Sequence, residues 1–139
     1  MNRNNRPKGA ILRWNPSLFW EWRIDEFQGM YLDEDYSSYT SSFAEPYDKG
    51  VVLKDEALVK NYQIAAYRLE QFRRGEKATS DVFDVDKMAK FHAIIDLVGG
   101  HHSLDWSDVK FYYNSETDKI EPVGYESFSI RPTHSIAGR

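Results

Sequence analysis

The sequence predicts an α+β fold that is mainly helical and carries one β-hairpin. Residues 54–74 and 84–98 each place apolar side chains at the three- and four-residue steps of an amphipathic helix. Residues 109–123 form two short apolar runs around a polar turn, which is typical of a hairpin. The chain has 139 residues, about the size of one ordinary domain. We therefore expect a single domain over residues 1–139.

The composition excludes several classes of function. The chain is 41% hydrophobic and 29% charged, which is enough apolar material for a packed core. It has no cysteine, so thiolate metal sites and disulfide bonds are excluded. The net charge of −4 argues against a nucleic-acid surface, because phosphate binding depends on clustered basic residues. No apolar stretch approaches the ~20 residues of a membrane helix, so we expect neither nucleic acid nor membrane as a partner.

The first predicted element is a short aromatic helix. Asn15 suits the N-cap, and Pro16 suits the first helical position because its missing N–H costs nothing there. Three tryptophans surround this start, and we interpret them as core residues: Trp14, Trp20 and Trp22.

A long loop is predicted over residues 28–50. This stretch is rich in Ser, Tyr and Asp, has little periodicity, and contains the turn-forming residues Gly29, Pro46 and Gly50. Its acidic run, residues 33–35, fits a cation site, although such runs are more commonly solvated surface.

An amphipathic helix over residues 54–74 is the clearest local prediction. Asp55 and Glu56 favour its N-terminus, and Gly75 favours a left-handed stop after Arg74. Its apolar stripe consists of Leu58, Tyr62, Ala65, Leu69 and Phe72.

A second helix is predicted from Asp84 or Val85 to Val98. Gly99 and Gly100 end it, and we interpret His92 within it as a packed or hydrogen-bonded residue rather than a ligand. Its predicted inner face consists of Met88, Phe91, Ile95 and Val98.

The predicted hairpin joins residues 109–113 to residues 120–123 through a polar turn. Pro122 cannot donate to a strand ladder, so it restricts the second strand to an edge or to a non-donating position.

Three carboxylates lie around this hairpin. Asp105 precedes it, Asp108 stands at its entrance, and Glu126 follows its exit, so antiparallel pairing would bring Asp108 near Glu126. Phosphoryl transfer needs such convergence, because carboxylates hold the metal ions and one lies beside the attacking hydroxyl. Hairpins with acidic ends are common, however, and the spacing alone does not decide between a site and a solvated surface.

Two other interpretations concern the same loop. His101 and His102 beside Asp105 resemble zinc ligands, but adjacent histidines point in different directions and the set is incomplete. Trp106 is more often a core anchor than a stacking platform.

Two blocks of the sequence resemble CotH-type (spore coat protein H) kinases. Residues 83–126, FDVDKMAKFHAIIDLVGGHHSLDWSDVKFYYNSETDKIEPVGYE, look like the catalytic-loop and metal-binding segment of that family, and residues 6–23, RPKGAILRWNPSLFWEWR, are similar to the segment that precedes it in relatives. The resemblance implies ATP-dependent phosphorylation of protein substrates, with Mg²⁺ or Mn²⁺, on part of an atypical kinase C-terminal lobe. It also suggests an extracellular, cell-surface or spore-surface location.

By this resemblance Asp105 takes the place of the catalytic aspartate. Asp108 stands where the family has a metal-binding Asn, and Glu126 where it has a metal-binding Asp. Both departures put metal geometry in doubt, because the first adds a charge and the second adds a methylene. Lys8 is a third departure, at a position where relatives often carry an acidic residue.

A working kinase also needs a phosphate-covering loop and a phosphate-contacting Lys from a preceding lobe. The sequence has no such glycine-rich loop. We therefore expect Met1 to start an expressed fragment of a longer protein, whose missing N-terminal lobe would be its partner. The fragment alone should transfer no phosphate.

Two alternatives remain open. In the first, the aromatic segment Met30–Tyr47 belongs to a non-catalytic module that binds a carbohydrate or a protein. In the second, the chain belongs to a pseudokinase whose metal ligands have changed.

Overall fold

The computed structural model describes residues 6–18, 20–21 and 42–125. Within this part, four antiparallel strands form one sheet in the order β2-β1-β3-β4. The strands are β1 (Ile11–Asn15), β2 (Phe43–Pro46), β3 (Lys110–Asn114) and β4 (Lys119–Val123). The helices are α1 (Lys49–Val52), α2 (Glu56–Arg73), α3 (Thr79–Val82) and α4 (Val85–Val98), followed by a 3₁₀ turn at His101–Leu104. The α+β class is confirmed.

The predicted hairpin is present as β3 and β4, with Lys110 paired to Val123 and Asn114 to Lys119. Pro122 lies on the edge strand β4, as expected. The prediction of a single hairpin is nevertheless wrong, because β1 and β2 extend the sheet to four strands. Both extra strands are short and pair with distant residues, so no local pattern marks them.

The predicted loop over residues 28–50 is wrong for its last part. Residues 43–46 form β2, which pairs with β1 through Leu12–Pro46 and Asn15–Phe43. Gly50 lies inside α1 instead of ending a loop. The acidic run at residues 33–35 lies outside the described residues.

Helix α2 confirms the clearest local prediction. The Asp55 side chain accepts hydrogen bonds from the N–H groups of Ala57 and Leu58, and Gly75 has a φ of 71° just beyond the helix end. Three residues of the predicted stripe are buried and two are partly buried against the core: Leu58, Ala65 and Leu69, then Tyr62 and Phe72. The helix packs across β1, β2 and β3.

Helix α4 runs as predicted, with Asp84 accepting from the Lys87 N–H and Gly99 in the left-handed region at φ 64°. Of its predicted inner face, Ile95 is buried, and Met88 and Phe91 are partly buried. Val98 is 41% exposed, so its assignment to the core is wrong. The helix lies mainly against the edge strand β4 and the 3₁₀ turn, and its last turn has little sheet to cover it.

The first predicted helix begins after a strand that the sequence did not reveal. Residues 17, 18, 20 and 21 are helical, and the Asn15 side chain accepts from the Ser17 N–H at 2.9 Å, as an N-cap does. Trp14 is buried as predicted, but Trp20 is 38% exposed, and its assignment to the core is wrong. Strand alternation directs Trp14 into the core, whereas the chain has left the sheet by Trp20. Trp22 lies outside the described residues.

The two faces of the sheet differ in chemistry. One face is apolar, packs against α2 and forms the core with Leu12, Phe111 and Ile120. Strand alternation places polar residues on the other face, and several of them are buried: Glu45, Lys110, Tyr112, Asn114 and Glu121. Buried charges need partners, so this second face is organised by ion pairs. No helix in the described part of the chain has the length and apolarity that crossing a membrane requires.

Candidate functional site

The loop between the 3₁₀ turn and β3 brings two of the predicted site residues together. The Asp105 carbonyl oxygen accepts from the N–H groups of Asp108 and Val109, each at 2.9 Å. This tight turn keeps the side chains of Asp105 and Asp108 on neighbouring positions at the open end of the β3–β4 hairpin.

His102 lies between these two carboxylates. Its Nδ1 is 2.7 Å from Oδ2 of Asp105, and its Nε2 is 3.4 Å from Oδ2 of Asp108. One ligand atom from each of the three residues lies within 4.8 Å of the others. We call His102, Asp105 and Asp108 the His–Asp cluster.

The predicted zinc set is only half formed. His101 turns away from the cluster, and its Nε2 lies 3.0 Å from Oδ1 of Asp96. Neighbouring histidines therefore point in different directions, as expected from the sequence. Asp108, rather than His101, is the third member beside His102 and Asp105.

The donor set of the cluster suits a divalent cation. An imidazole nitrogen and carboxylate oxygens are ligands for Mn²⁺ and Zn²⁺, and the carboxylates also suit Mg²⁺. Opposite ligands of an octahedral ion are about 4.2 Å apart, so a spread of up to 4.8 Å needs only small side-chain shifts. His102 and Asp105 are 57% and 59% exposed, which leaves room for water or substrate oxygens to complete the coordination.

Glu126, the second predicted metal ligand, lies outside the described residues. The chain reaches Tyr125 at the open end of the hairpin, where β4 ends beside the start of β3. The Tyr125 ring centroid is 4.4 Å from Nζ of Lys110. The backbone thus approaches the end of the sheet that carries Asp108, and the role of Glu126 stays a prediction.

Lys110 fixes the loop that carries the cluster, and sequence reasoning missed it. Its side chain is buried, and Nζ donates to the carbonyl oxygens of Asp108 at 2.9 Å and Ser107 at 3.3 Å. The ammonium group also lies near the rings of Tyr125 and Tyr47, 4.4 and 5.6 Å from their centroids. A lysine in an alternating strand reads as a solvent-facing residue, so the local sequence gave no signal of this role.

Trp106 anchors the same loop to the core, as interpreted from the sequence. It stacks on Trp14 with ring centroids 4.6 Å apart and planes 20° apart. Its Nε1 donates to Oγ of Ser42 at 3.0 Å. Lys110 on one side and Trp106 on the other therefore determine where Asp105 and Asp108 lie.

The cluster combines an exposed carboxylate, a second carboxylate and an imidazole on a loop with two anchors. Such a group can hold a divalent cation and accept a proton from a hydroxyl near it. Of the predicted site residues, Asp105 and Asp108 come together, and His102 joins them in a place that only the folded loop reveals. No protein-family model, curated protein or solved structure matches this chain.

Proposed function

We propose that this chain supplies the metal-holding and proton-accepting half of a phosphoryl-transfer centre in a longer CotH-like protein kinase. The carrying observation is the convergence of Asp105 and Asp108 on either side of His102 at the open end of a hairpin. A loop with a catalytic carboxylate, then a hairpin, then a further acidic residue is the order that kinase-type phosphoryl transfer uses. The substrates would be ATP and a protein Ser or Thr hydroxyl.

Each residue has a role that fits its exposure. Asp105, at 59% exposed, is open to an approaching hydroxyl and accepts its proton. Asp108 is 20% exposed and braced by the loop anchors, so it suits the more fixed work of metal ligation together with His102. A bound Mg²⁺ or Mn²⁺ would neutralise charge on the phosphates. Glu126 remains a predicted further ligand.

His102 makes metal binding depend on pH. A cation needs a neutral imidazole nitrogen, whereas proton binding occupies the same lone pair. Metal affinity should therefore fall as the pH is lowered through the titration of His102. Mg²⁺ prefers oxygen ligands, so an imidazole in the set favours Mn²⁺ over Mg²⁺.

A Mn²⁺ titration of this chain tests the metal site directly. In NMR spectra the paramagnetic ion should broaden amide signals at residues 102–108 before any others. Asp108→Ala should weaken the affinity about tenfold or more, because one charged ligand is lost. Asp86→Ala, which removes an exposed carboxylate on α4, is the matched control and should change nothing. Broadening that spares residues 102–108, or equal effects of the two variants, would overturn the metal site.

Phosphoryl transfer itself is tested in the longer protein, with Mn²⁺-ATP and a radiolabelled γ-phosphate. Transfer that Asp105→Asn abolishes supports the kinase. Metal binding without transfer would contradict it and favour the pseudokinase. In that case Asp108→Asn with Glu126→Asp, which restores the residue types of the resembling family, should recover transfer.

A further inference from the structure

A second candidate site lies on the polar face of the sheet. An open cavity of about 520 Å³ is lined by Arg13, Pro46, Tyr47, Asp48 and Lys49. Small-molecule sites commonly have volumes of ~300–1,000 Å³. None of these residues belongs to the His–Asp cluster, so the cavity needs an explanation of its own.

A buried carboxylate holds the cationic wall of this cavity in place. Glu45 is 2% exposed, and its Oε1 accepts from Nε and Nη2 of Arg13 at 2.9 and 2.7 Å. Its Oε2 accepts from Asn15 at 3.0 Å and from Nζ of Lys49 at 2.6 Å. Burial raises the pKa of Glu45, but hydrogen bonds from Lys49, Arg13 and Asn15 outweigh it and hold the pKa below the usual value. The ionised Glu45 thus pre-orients two cations at the cavity wall.

The charges around the cavity leave a single positive charge without compensation. Arg13, Lys49 and Lys110 are cationic, and Glu45 and Asp48 are anionic. Lys110 contributes through the wall, because its Nζ is 5.6 Å from the centroid of the Tyr47 ring. A ligand with one negative charge would neutralise this surface, whereas a dianion would leave one charge unpaired.

The remaining lining residues suit a ring with many hydroxyl groups. Tyr47 is 42% exposed and, with Pro46, offers an apolar surface on which the C–H face of a sugar ring can pack. Oδ1 of Asp48 accepts from the Val51 N–H at 3.1 Å. An ionised carboxylate has further acceptor capacity, and Asp48 can therefore also accept from ligand hydroxyls.

We propose that this cavity binds a monoanionic sugar of the hexuronate class. Its carboxylate pairs with Arg13 and Lys49, its ring packs on Tyr47, and its hydroxyls donate to Asp48. This proposal does not depend on the phosphoryl-transfer centre, because the two sites share no residue.

Titration with glucuronate, followed by amide NMR shifts, tests the proposal. Shifts should concentrate at residues 13 and 46–49, with a Kd in the millimolar range or tighter. Glucose, which has the ring without the charge, and acetate, which has the charge without the ring, should each bind about tenfold more weakly or not at all. Equal binding of glucose or acetate would overturn the proposal, as would glucuronate shifts at other residues or none.

Two exposed side chains allow variants that spare the core. Lys49, whose side chain is 56% exposed, and Tyr47 each contribute directly, so Lys49→Ala and Tyr47→Ala should each weaken glucuronate binding about tenfold. Lys54→Ala removes an exposed cation just beyond α1 and is the matched control. If Lys54→Ala weakens binding as much as Lys49→Ala, the cavity offers only diffuse positive charge and the proposal fails.

Discussion

Replacing Lys110 with Met separates the charge of this buried lysine from the packing of its stem. The Lys110 side chain is 3% exposed, and Met fills a similar volume without the ammonium group. Two backbone carbonyls would lose a donor, at 2.9 Å from Asp108 and 3.3 Å from Ser107. Two aromatic rings would also lose their contact with a cation.

The expected cost follows from these contacts. The shorter hydrogen bond contributes about 2 kcal/mol and the longer one about 1 kcal/mol, values that already include lost hydration. The two ring contacts add about 0.5 kcal/mol each, and the buried thioether recovers about 1–2 kcal/mol. The free energy of unfolding should therefore fall by about 2–3 kcal/mol, and the Tm by about 4–12 °C.

Urea denaturation followed by tryptophan fluorescence measures this loss. Lys60→Met, at an exposed position on α2, is the matched control and should change the stability by less than about 0.5 kcal/mol. Lys110→Met should also weaken Mn²⁺ binding, because the loop that carries Asp108 loses an anchor. Buried charges are sometimes less favourable than apolar replacements. A Lys110→Met protein as stable as the parent would show that only the stem matters and would refute the reasoning.

Three further predictions follow from contacts outside the two sites. A Cβ at Gly9 would overlap the Tyr113 carbonyl oxygen, so Gly9→Ala should lower the free energy of unfolding by about 2 kcal/mol, and an unchanged urea midpoint would contradict this close approach. Asp118 has a φ of 55° and accepts from the Tyr113 hydroxyl at 2.6 Å; Asp118→Ala should cost about 2–3 kcal/mol and Asp118→Asn, which tolerates the backbone, less than about 1 kcal/mol, with equal losses in thermal unfolding as the contrary result. Burial raises the pKa of Glu45 but its hydrogen bonds lower it further, to a net value below 4.5; the unfolded chain then binds the proton more readily, so this stabilisation is present above pH 4.5 and is lost as the pH falls through the folded-state pKa. Glu45→Gln should therefore show a flatter stability curve below that pH in urea titrations, and parallel curves for the two proteins would rule the linkage out.

The candidate site was predictable from the sequence only as a set of residue types around a hairpin. The order Asp105, Asp108, strand, turn, strand placed two carboxylates at one end of a structure whose pairing the local pattern predicts. The position of His102 was not predictable, because it depends on a 3₁₀ turn that directs neighbouring side chains to Asp96 and to Asp105 separately. The cavity beside Glu45 was hidden for a different reason, since it requires β2 to pair with β1.

The sequence by itself determined α2, α4 and the β3–β4 hairpin. Their hydrogen bonds join residues close along the chain, and their periods and caps, such as Asp55 and Gly99, are written in adjacent residues. Only the tertiary structure decided that Ile11–Asn15 is the central strand between β2 and β3 and that the second sheet face buries charges. Strand pairing across long separations has no local period, and whether Lys110 or Glu45 is buried depends on the partners that folding brings to it.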